Sequence, residues 1–574
     1  MLAVDTLLEA ATARGIALQV ALIWHQAFSQ QEAPLIESAA PRPDALTDFD
    51  QHGYNAQNGG PLSAPEGIFT DARAEDLLRR RLHYSIARWG HSPAIAAWEV
   101  VTDLDQLPGY DTPEGQAWLS RTLNYVAEVD PYARLITVGS TQALPWVADH
   151  PAVNFVQAQV LGNLPLETPP DPVTSAVQAI YEARQVTDKP VLLSAFSLSR
   201  WVPPTEADPQ GLHVRQTQWA ALLAGSLGGG LSWWGPEYLL ANDLLTSYAP
   251  FAQFVSRIPW SDVTLRPVLP AIIMDDASSY APLRLDGFNR NFEAPPRFDT
   301  HYLITPDGSL PSLEGFSAFL YGNVGNPQAS LPRSLTIHAP VSTVLTVAIR
   351  DVSSLGRAEL VVYVDNLPYA ALTLTGESDA TRLTVPIPAG EHALVLDNLG
   401  DYWLELDYLQ LDAYQTPLRA LALADPMNGL ALAWVQNRAY SWETPPTDLS
   451  APHSGTLHLA GMLPGIYESN SGTQPPGKFW GKRPLSVPED GLLRVPLLPL
   501  RRELALIARR TGGESIMAQR ITPVPTRTPA VSLTPTPSPS LPASFTPTAS
   551  PTVSATPPTA QQKLPPQRLR LRPR

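Results

Sequence analysis

The strongest constraint on the fold of this chain is the regular alternation of short apolar runs with longer helical patterns in its first 260 residues. Each apolar run has the length of one buried strand, and the intervening segments have the 3.6-residue periodicity of amphipathic helices. This alternation is typical of βα units around a parallel sheet. Strands are predicted at residues 17–23, 95–100, 134–138, 154–158, 191–196 and 229–234, and helices at 4–14, 71–88, 114–129, 172–186 and 212–227.

Six parallel strands are too few to close a barrel. A (β/α)8 TIM barrel needs eight, and the open edges of a smaller parallel sheet leave backbone groups unpaired. Six strands preceded by a helix therefore predict a partial barrel at residues 1–262 that lacks its first two βα units. The missing units, and an export signal before them, are expected to lie ahead of Met1.

Beyond residue 262 the pattern changes to short alternating runs, such as TVLTVAI at 343–349 and ELVVYV at 359–364, separated by Gly, Pro and Asn. Regularly spaced strands of this kind predict antiparallel β-sandwiches, here a larger one at residues 263–414 and a small one at 415–511. Residues 512–574 are rich in Pro, Ser and Thr and cannot bury a core, so a disordered tail is expected. The fold class is thus multidomain, α/β followed by all-β.

Charge and composition exclude several classes of function. The formal net charge is −15, and residues 522–574 hold six Lys or Arg and no acid, so the acidic charge belongs to the folded part. An acidic body repels phosphate backbones, which argues against nucleic acid as a partner. The absence of Cys rules out disulfides and thiolate sites, and the scattered His predict no metal or cofactor. No apolar run is long enough for a transmembrane segment.

Three segments carry a family resemblance: residues 54–105, ending in AAWEVVTDLD; KPVLLSAFS at 189–197; and residues 211–239, with GGGLSWWGPEYL. They resemble the fourth, seventh and eighth strands of glycoside hydrolase family 5-like barrels, the cellulase and mannanase type. The resemblance spans most of residues 1–260. It implies a barrel that acts on β-linked polysaccharide through two carboxyl groups, commonly followed by β-sandwich domains.

The resemblance also indicates that the chemistry has been lost. The nucleophile position of strand seven falls on Ala195, and a methyl group cannot attack an anomeric carbon. The acid/base position falls on Asp103, whose side chain is one carbon shorter than that of Glu, and Gln159 stands where the family usually offers His. Since small misplacements cost much of a reaction rate, we expect a degenerate glycosidase fold that binds polysaccharide without hydrolysing it.

Two other acids keep an alternative open. Glu99 shares strand parity with Asp103, and both are predicted to face the top of the barrel or to be buried partners of a basic residue. Glu237 follows the last strand and is either a substitute nucleophile or an ordinary loop acid. The first alternative is thus an active retaining β-glycosidase using Asp103 with Glu99 or Glu237. The second is an architectural cell-surface protein.

The binding surface is predicted from aromatic and polar side chains near the strand ends, because pyranose rings stack on aromatic faces. Two or three rings are expected to touch ligand, and the others to be core. Asn55 fits an ordinary turn as well, and His25 could simply satisfy a strand-end carbonyl. An extracellular or cell-surface location is expected, with the basic end of the tail either touching an anionic wall or solvated. The candidates are Trp24, His25, Tyr54, Asn55, Trp98, Gln159, Trp201, Trp233 and Trp234.

Overall fold

The computed structural model describes residues 2–28, 49–164, 167, 171–292, 302–305, 316–376, 382–444, 451–473 and 479–512. Residues 2–512 of these ranges belong to one compact unit. The tail predicted at 512–574 lies outside the described residues from 513 onward. No helix in the described ranges combines the length and apolar character needed to cross a membrane.

Helices and parallel strands alternate in the first part of the chain, as the sequence predicts. The elements are α1 (Leu2–Arg14), β1 (Leu18–Ile23), α2 (Ala72–Trp89), β2 (Ile95–Val101), α3 (Pro113–Val129), β3 (Leu135–Thr137), α4 (Pro145–Ala148), β4 (Val156–Leu161), α5 (Pro172–Gln185), β5 (Val191–Ser197), α6 (Leu212–Leu223), β6 (Leu231–Ser232) and α7 (Tyr248–Val255). All six predicted strands are present, each within a few residues of its expected bounds.

The six strands follow one another in chain order as two parallel ladders, β1-β2-β3 and β4-β5-β6. Side chains bridge the gap between the ladders. Asn154 exchanges two hydrogen bonds with the backbone of Ile136, at 2.7 and 2.8 Å, and the Thr137 hydroxyl donates to the Phe155 carbonyl. Within the described residues, β1 and β6 each pair on one side only. A closed barrel with two further units therefore stays a prediction.

The outer helices are specified locally. The Asp71 carboxylate caps α2 by accepting from the Ala74 amide at 2.7 Å, which satisfies one of the free N–H groups of the first turn. Residues four apart on α2 then form one apolar stripe, and Ala74, Leu78, Leu82 and Ile86 are all buried. This stripe belongs to the core that also contains β2. Truncating Leu82 to Ala would cost about 2–5 kcal/mol.

Nineteen more strands follow in the described residues. They are β7 (Arg266–Val268), β8 (Ala271–Met274), β9 (Ala281–Leu285), β10 (Tyr302–Ile304), β11 (Phe319–Leu320), β12 (Arg333–Ala339), β13 (Thr343–Val352), β14 (Ala358–Val364), β15 (Leu367–Leu374), β16 (Arg382–Ile387), β17 (Gly390–Asn398), β18 (Leu404–Gln415), β19 (Leu418–Asp425), β20 (Leu430–Asn437), β21 (His453–Leu459), β22 (Gly465–Thr473), β23 (Phe479–Val487), β24 (Leu493–Leu500) and β25 (Glu503–Gly512).

These strands form four sheets. The first sandwich consists of β10-β12-β17-β14-β15 and β11-β18-β13-β16, with β9 added beside β18. The second consists of β23-β22-β25-β20-β19-β7 and β24-β21-β8. Alternating burial along β12 and β13 places every second side chain in the core between the sheets, as expected for a sandwich.

The strand pairing corrects one predicted boundary. Residues 263–414 were assigned to a single sandwich, yet β7 pairs with β19 and β8 pairs with β21, so both belong to the second sandwich. The chain thus enters the second sandwich, leaves it to build the first, and returns. Strand partners distant in sequence are set by register across a sheet, which a local pattern does not encode.

The barrel-like part and the second sandwich share one interface. Leu432, Trp434 and Ile507 of the sandwich belong to the same apolar core as β5 and α6. A buried ion pair adds to it, since Arg215 Nε of α6 lies 2.7 Å from Glu503 Oε1 of β25, and Glu503 is 3% exposed. Because the ion pair is directional and buried, it fixes how the two parts meet.

Candidate functional site

Two predicted catalytic positions and two predicted binding residues lie near the carboxyl ends of the parallel strands. His25 follows β1, Asp103 follows β2, Gln159 lies near the end of β4 and Ala195 near the end of β5. Parallel strands present their carboxyl ends along a single edge, which is where enzymes with this architecture carry their active sites. The sequence therefore brings these four residues to one region.

Asp103 is held in place from two sides. The Gln159 Nε2 amide donates to Asp103 Oδ1 at 2.6 Å, and His25 Nδ1 lies 3.7 Å from Oδ2. The backbone of Asp103 is in the left-handed region, at φ 36°, which lets the chain turn sharply after β2. The next residue, Leu104, donates its amide to the Gly139 carbonyl at 2.8 Å. The carboxylate is therefore oriented by both its side-chain partners and its backbone.

His25 is oriented by Thr102. The His25 backbone amide donates to Thr102 Oγ1 at 3.0 Å, and Thr102 Oγ1 lies 2.9 Å from His25 Nδ1. The Thr102 hydroxyl can donate to Nδ1 or accept from it, so the contact orients the ring in either tautomer. Burial lowers the pKa of His25, the charges of Asp103 and Asp105 raise it, and the charge of Arg200 lowers it. The net shift is downward, which favours the neutral imidazole.

Glu99 lies in a layer of glutamines below Asp103. Gln19 Nε2 donates to Glu99 Oε2 and Gln157 Nε2 donates to Oε1, each at 3.1 Å, and the two glutamines also contact each other at 3.2 Å. Burial raises the pKa of Glu99, the two amide hydrogen bonds lower it, and the Asp103 charge raises it. The net result is a raised pKa, so Glu99 holds its proton more tightly than an exposed Glu does.

Gly139 makes room for this layer. A Cβ at this position would lie 2.2 Å from Glu99 Oε1, 2.9 Å from the Asp103 nitrogen and 3.1 Å from the Thr102 Cα. Only a residue without a side chain fits there. Gly139, Gln19 and Gln157 are not among the predicted site residues. The sequence signal that could have found the two glutamines is their position inside otherwise apolar strands, LQVALI and VQAQVL.

Ala195 lies beside Gln159. A register shift between Ala158 and Gln159 leaves Ser194 unpaired and sets Ala195 opposite Gln159 on one side and Leu231 on the other. The Gln159 Oε1 atom is buried and has no hydrogen-bond partner among the described residues, while its Nε2 is committed to Asp103. The amide carbonyl of Gln159 is thus unused beside the Asp103 carboxylate, and the residue opposite Gln159 on β5 carries only a methyl group.

Three further residues after these strands form the rim. Trp24 follows β1 and is 45% exposed, and Trp233 follows β6 and is 42% exposed, so the two outermost strands each end in an accessible indole. Trp201 is half-buried, and the Arg200 guanidinium carbon lies 5.6 Å from its ring centroid. Accessible rings of this kind can stack on the apolar faces of sugars.

Two predicted binding tryptophans lie in the core instead. Trp98 has no exposed surface, and its Nε1 donates to Asp130 Oδ2 at 2.9 Å. Trp234 is 9% exposed and donates to the Ser199 carbonyl at 2.7 Å. Neither ring offers a face to a ligand. Strand parity could have shown this for Trp98, because neighbouring residues of a strand face opposite sides and Glu99 points to the glutamine layer.

Tyr54 and Asn55 also have structural roles. The Tyr54 ring is buried and stacks on His52 with 5.2 Å between centroids. Asn55 is 3% exposed, and its side chain accepts from the Gln57 amide at 2.8 Å and donates to the Phe49 carbonyl at 3.2 Å. The alternative reading of Asn55 as a turn residue therefore describes its contacts.

The remaining acids near the strand ends do not form a metal centre. Asp105 accepts from the Ser140 hydroxyl at 3.0 Å and from the Thr141 amide at 2.9 Å, so it holds the loop after β3. Glu237 is half-buried in the helical turn Gly235–Leu240 that follows β6. In the part of the chain that the structure describes, no three His, Asp or Glu side chains are grouped as a metal site would require.

Comparison with known proteins gives structural likeness alone. No protein-family model matches the chain, and no curated protein matches it. Among solved structures, it is similar to an endo-1,4-β-D-mannanase from Thermotoga petrophila RKU-1 (16% identity, 40% of this chain, TM-score 0.29), and it spans 66% of that enzyme's length.

Two other solved structures match over more of the chain. One is a glycoside hydrolase family 5 protein from Bacteroides vulgatus ATCC 8482, at 10% identity over 81% of this chain and 78% of the other, with a TM-score of 0.35. The second is a β-galactosidase from Rahnella sp. R3, at 12% identity over 86% of this chain and 90% of the other, with a TM-score of 0.39. All three likenesses are to carbohydrate-active enzymes, and at these scores they do not establish a family.

Proposed function

We propose that this chain is a carbohydrate-binding protein on a glycosidase-type scaffold that does not hydrolyse its ligand. The observation that carries the proposal is the setting of Asp103, whose carboxylate is held by Gln159 while the neighbouring position on β5 is the methyl group of Ala195. Retaining hydrolysis needs two carboxyl groups about 5–5.5 Å apart, one of them ionised and free to attack. The strand next to Gln159 supplies a methyl group at this point.

Glu99 is poorly suited to replace the missing nucleophile. Both of its oxygens accept hydrogen bonds, from Gln19 and Gln157, and its pKa is raised, first by burial. A nucleophile must be ionised and must approach carbon through an oxygen that is not already engaged. Glu99 meets neither condition well, which supports binding over catalysis.

The same region offers what a neutral sugar requires. Trp24 and Trp233 provide accessible aromatic faces at the two ends of the strand series. Gln159 Oε1 is a buried acceptor with no partner in the described residues, and an unsatisfied buried polar atom costs about 1–3 kcal/mol. The ligand class we propose is a β-linked polysaccharide or its oligosaccharides, because this is the class that the family resemblance implies.

We also propose that the protein works outside the cell or on its surface. Polysaccharides of this class are large polymers that are met outside the cytoplasm. The long Pro, Ser and Thr-rich tail is suited to spacing a binding domain from a surface, and its end carries basic residues that would favour an anionic wall. Secretion followed by fractionation of the producing cells tests this location directly.

Retention on insoluble polysaccharide tests the binding proposal. The full chain is mixed with cellulose, mannan and xylan, and the bound fraction is measured against protein concentration. Trp24→Ala and Trp233→Ala are expected to weaken retention at least tenfold on the polysaccharide that binds. The matched control is Trp260→Ala, because Trp260 is 41% exposed but lies beyond α7, away from the strand ends. Equal losses of retention in all three variants would indicate non-specific adsorption and contradict the proposal.

A second candidate function is retaining glycoside hydrolysis by Asp103 with Glu99. One observation favours it: the two carboxyl groups influence each other electrostatically and have different environments, as an acid and a base often do. Release of reducing sugar from the same polysaccharides, abolished by Asp103→Ala and by Glu99→Gln, would establish it. If the chain neither binds polysaccharide nor releases sugar from it, the result would favour an architectural role.

A further inference from the structure

A cavity lies at the junction between α5 and the second sandwich, on different elements from the residues at the strand ends. Its volume is about 200 Å³. Junctions between folded parts are a common location for ligand sites. The lining residues are Asp171, Arg419, Arg438, Ser441, Trp442 and Glu443.

The floor of this junction cavity is an ion pair between the buried Arg419 and the partly exposed Asp171. Arg419 on β19 is 2% exposed, and its Nη2 donates to Asp171 Oδ1 at 3.0 Å while Nη1 contacts Oδ2. Arg419 Nε donates to Gln436 Oε1 at 2.6 Å. Burial alone would raise the pKa of Asp171, but the Arg419 charge and hydrogen bond lower it to about 2, with smaller contributions from Thr174 and the Arg438 charge. The floor is therefore charged, paired and fixed.

The wall that carries Trp442 is anchored before a ligand arrives. Tyr440, two residues earlier, is 6% exposed, and its hydroxyl accepts from Arg215 Nη2 at 2.6 Å. Its carbonyl accepts from Gln216 Nε2 at 2.5 Å and from Gln436 Nε2 at 3.0 Å. These contacts come from both α6 and the sandwich. A preorganised wall of this kind lowers the ordering cost of binding.

The charges in the cavity select a class of ligand. Two guanidinium groups and two carboxylates line it, so their formal charges cancel. An anion would meet Asp171 and Glu443, and a cation would meet Arg419 and Arg438. A neutral polyhydroxy ligand can donate to the carboxylates and accept from a guanidinium, and the half-buried Trp442 ring offers a surface for a sugar face.

We propose that this junction cavity is a second carbohydrate site, which binds one or two residues of a neutral saccharide. Trp442 stacks on a ring face, while Arg438 and Glu443 hold hydroxyl groups. The site uses elements different from those of the strand-end site, so it does not depend on the function proposed above. Two sites on one rigid unit would let a single chain hold two segments of polysaccharide and gain avidity.

Calorimetric titration of the full chain tests this proposal. Cellohexaose, mannohexaose and xylohexaose are the neutral probes, and hexagalacturonate is the charged one. The wild type is expected to bind a neutral probe at two sites. Trp442→Ala should remove one site, with a loss of at least tenfold in affinity, and the Trp24→Ala/Trp233→Ala double variant should remove the other. Trp260→Ala is the control, and thermal melting checks that each variant is folded.

The outcomes separate the two proposals. One site that survives Trp442→Ala but is lost in the double variant overturns the junction site and leaves the strand-end function intact. A single site that is lost in Trp442→Ala but survives in the double variant overturns the strand-end function and supports the junction site. Equal binding of hexagalacturonate at the site that depends on Trp442 would overturn the neutral ligand class. Arg438→Met should weaken the same site, and an unchanged affinity in this variant would contradict the role given to the guanidinium.

Discussion

Adding a single methyl group at Gly139 should destabilise the chain more than most core truncations of similar size. The new Cβ would lie 2.2 Å from Glu99 Oε1 and 2.9 Å from the Asp103 nitrogen, far inside contact distance. The backbone atom cannot move without shifting the turn after β2, so Glu99 must give way and lose its hydrogen bond from Gln157. Overpacking costs about 1–3 kcal/mol, and a lost hydrogen bond to a charged group about 1.5–3 kcal/mol.

We therefore expect Gly139→Ala to lower the free energy of unfolding by about 2.5–6 kcal/mol. Urea denaturation monitored by circular dichroism measures this free energy, from the transition in which the parallel strands unfold. The matched control is Gly228→Ala, where nothing lies within 4 Å of the added Cβ. That change should be neutral or should stabilise the chain by about 0.4–1 kcal/mol, because Ala lowers the conformational entropy of the unfolded state. Equal stability of the two variants would show that Glu99 has space to move and would refute the packing argument.

Two predictions concern buried charges. Arg215→Met leaves Glu503 buried without its cation and should cost about 3–5 kcal/mol of unfolding free energy in urea, whereas Arg494→Met, at an exposed pair, should leave the free energy of unfolding nearly unchanged. The Asp171 carboxyl has a pKa of about 2 in the folded chain, below its unfolded value of about 3.9, so its stabilisation is present above pH 4 and is lost as the pH falls towards 2. The stability difference between the wild type and Asp171→Asn should therefore shrink over that range, and a difference that stays constant from pH 5 to pH 2 would contradict the pairing with Arg419.

The strand positions were predictable because buried parallel strands leave a strong local signal. Short apolar runs indicated all six strands, and helical periodicity indicated five of the helices, whereas the short helices α4 and α7 were not predicted. The partners of β7 and β8 were not predictable in the same way. Their sequences are short and their pairing is with strands more than 150 residues later, so no local pattern distinguishes the two sandwiches.

The position of the candidate site was predictable, but only some of the residues that form it were. The family resemblance led to Asp103, Gln159 and Ala195, and the structure places them on neighbouring elements. The glutamine layer around Glu99 was missed, because the partners of a buried acid lie on other strands and are known only from register. Trp98 was included among the candidate binding rings because it lies near a strand end, and strand parity was the better guide to its burial.

The interface between α6 and β25 has a mechanical consequence. Sliding one part past the other by one residue would separate Arg215 from Glu503 and leave a buried charge without its partner. A force that shears the parallel-strand part against the second sandwich is therefore expected to meet its main resistance at this pair.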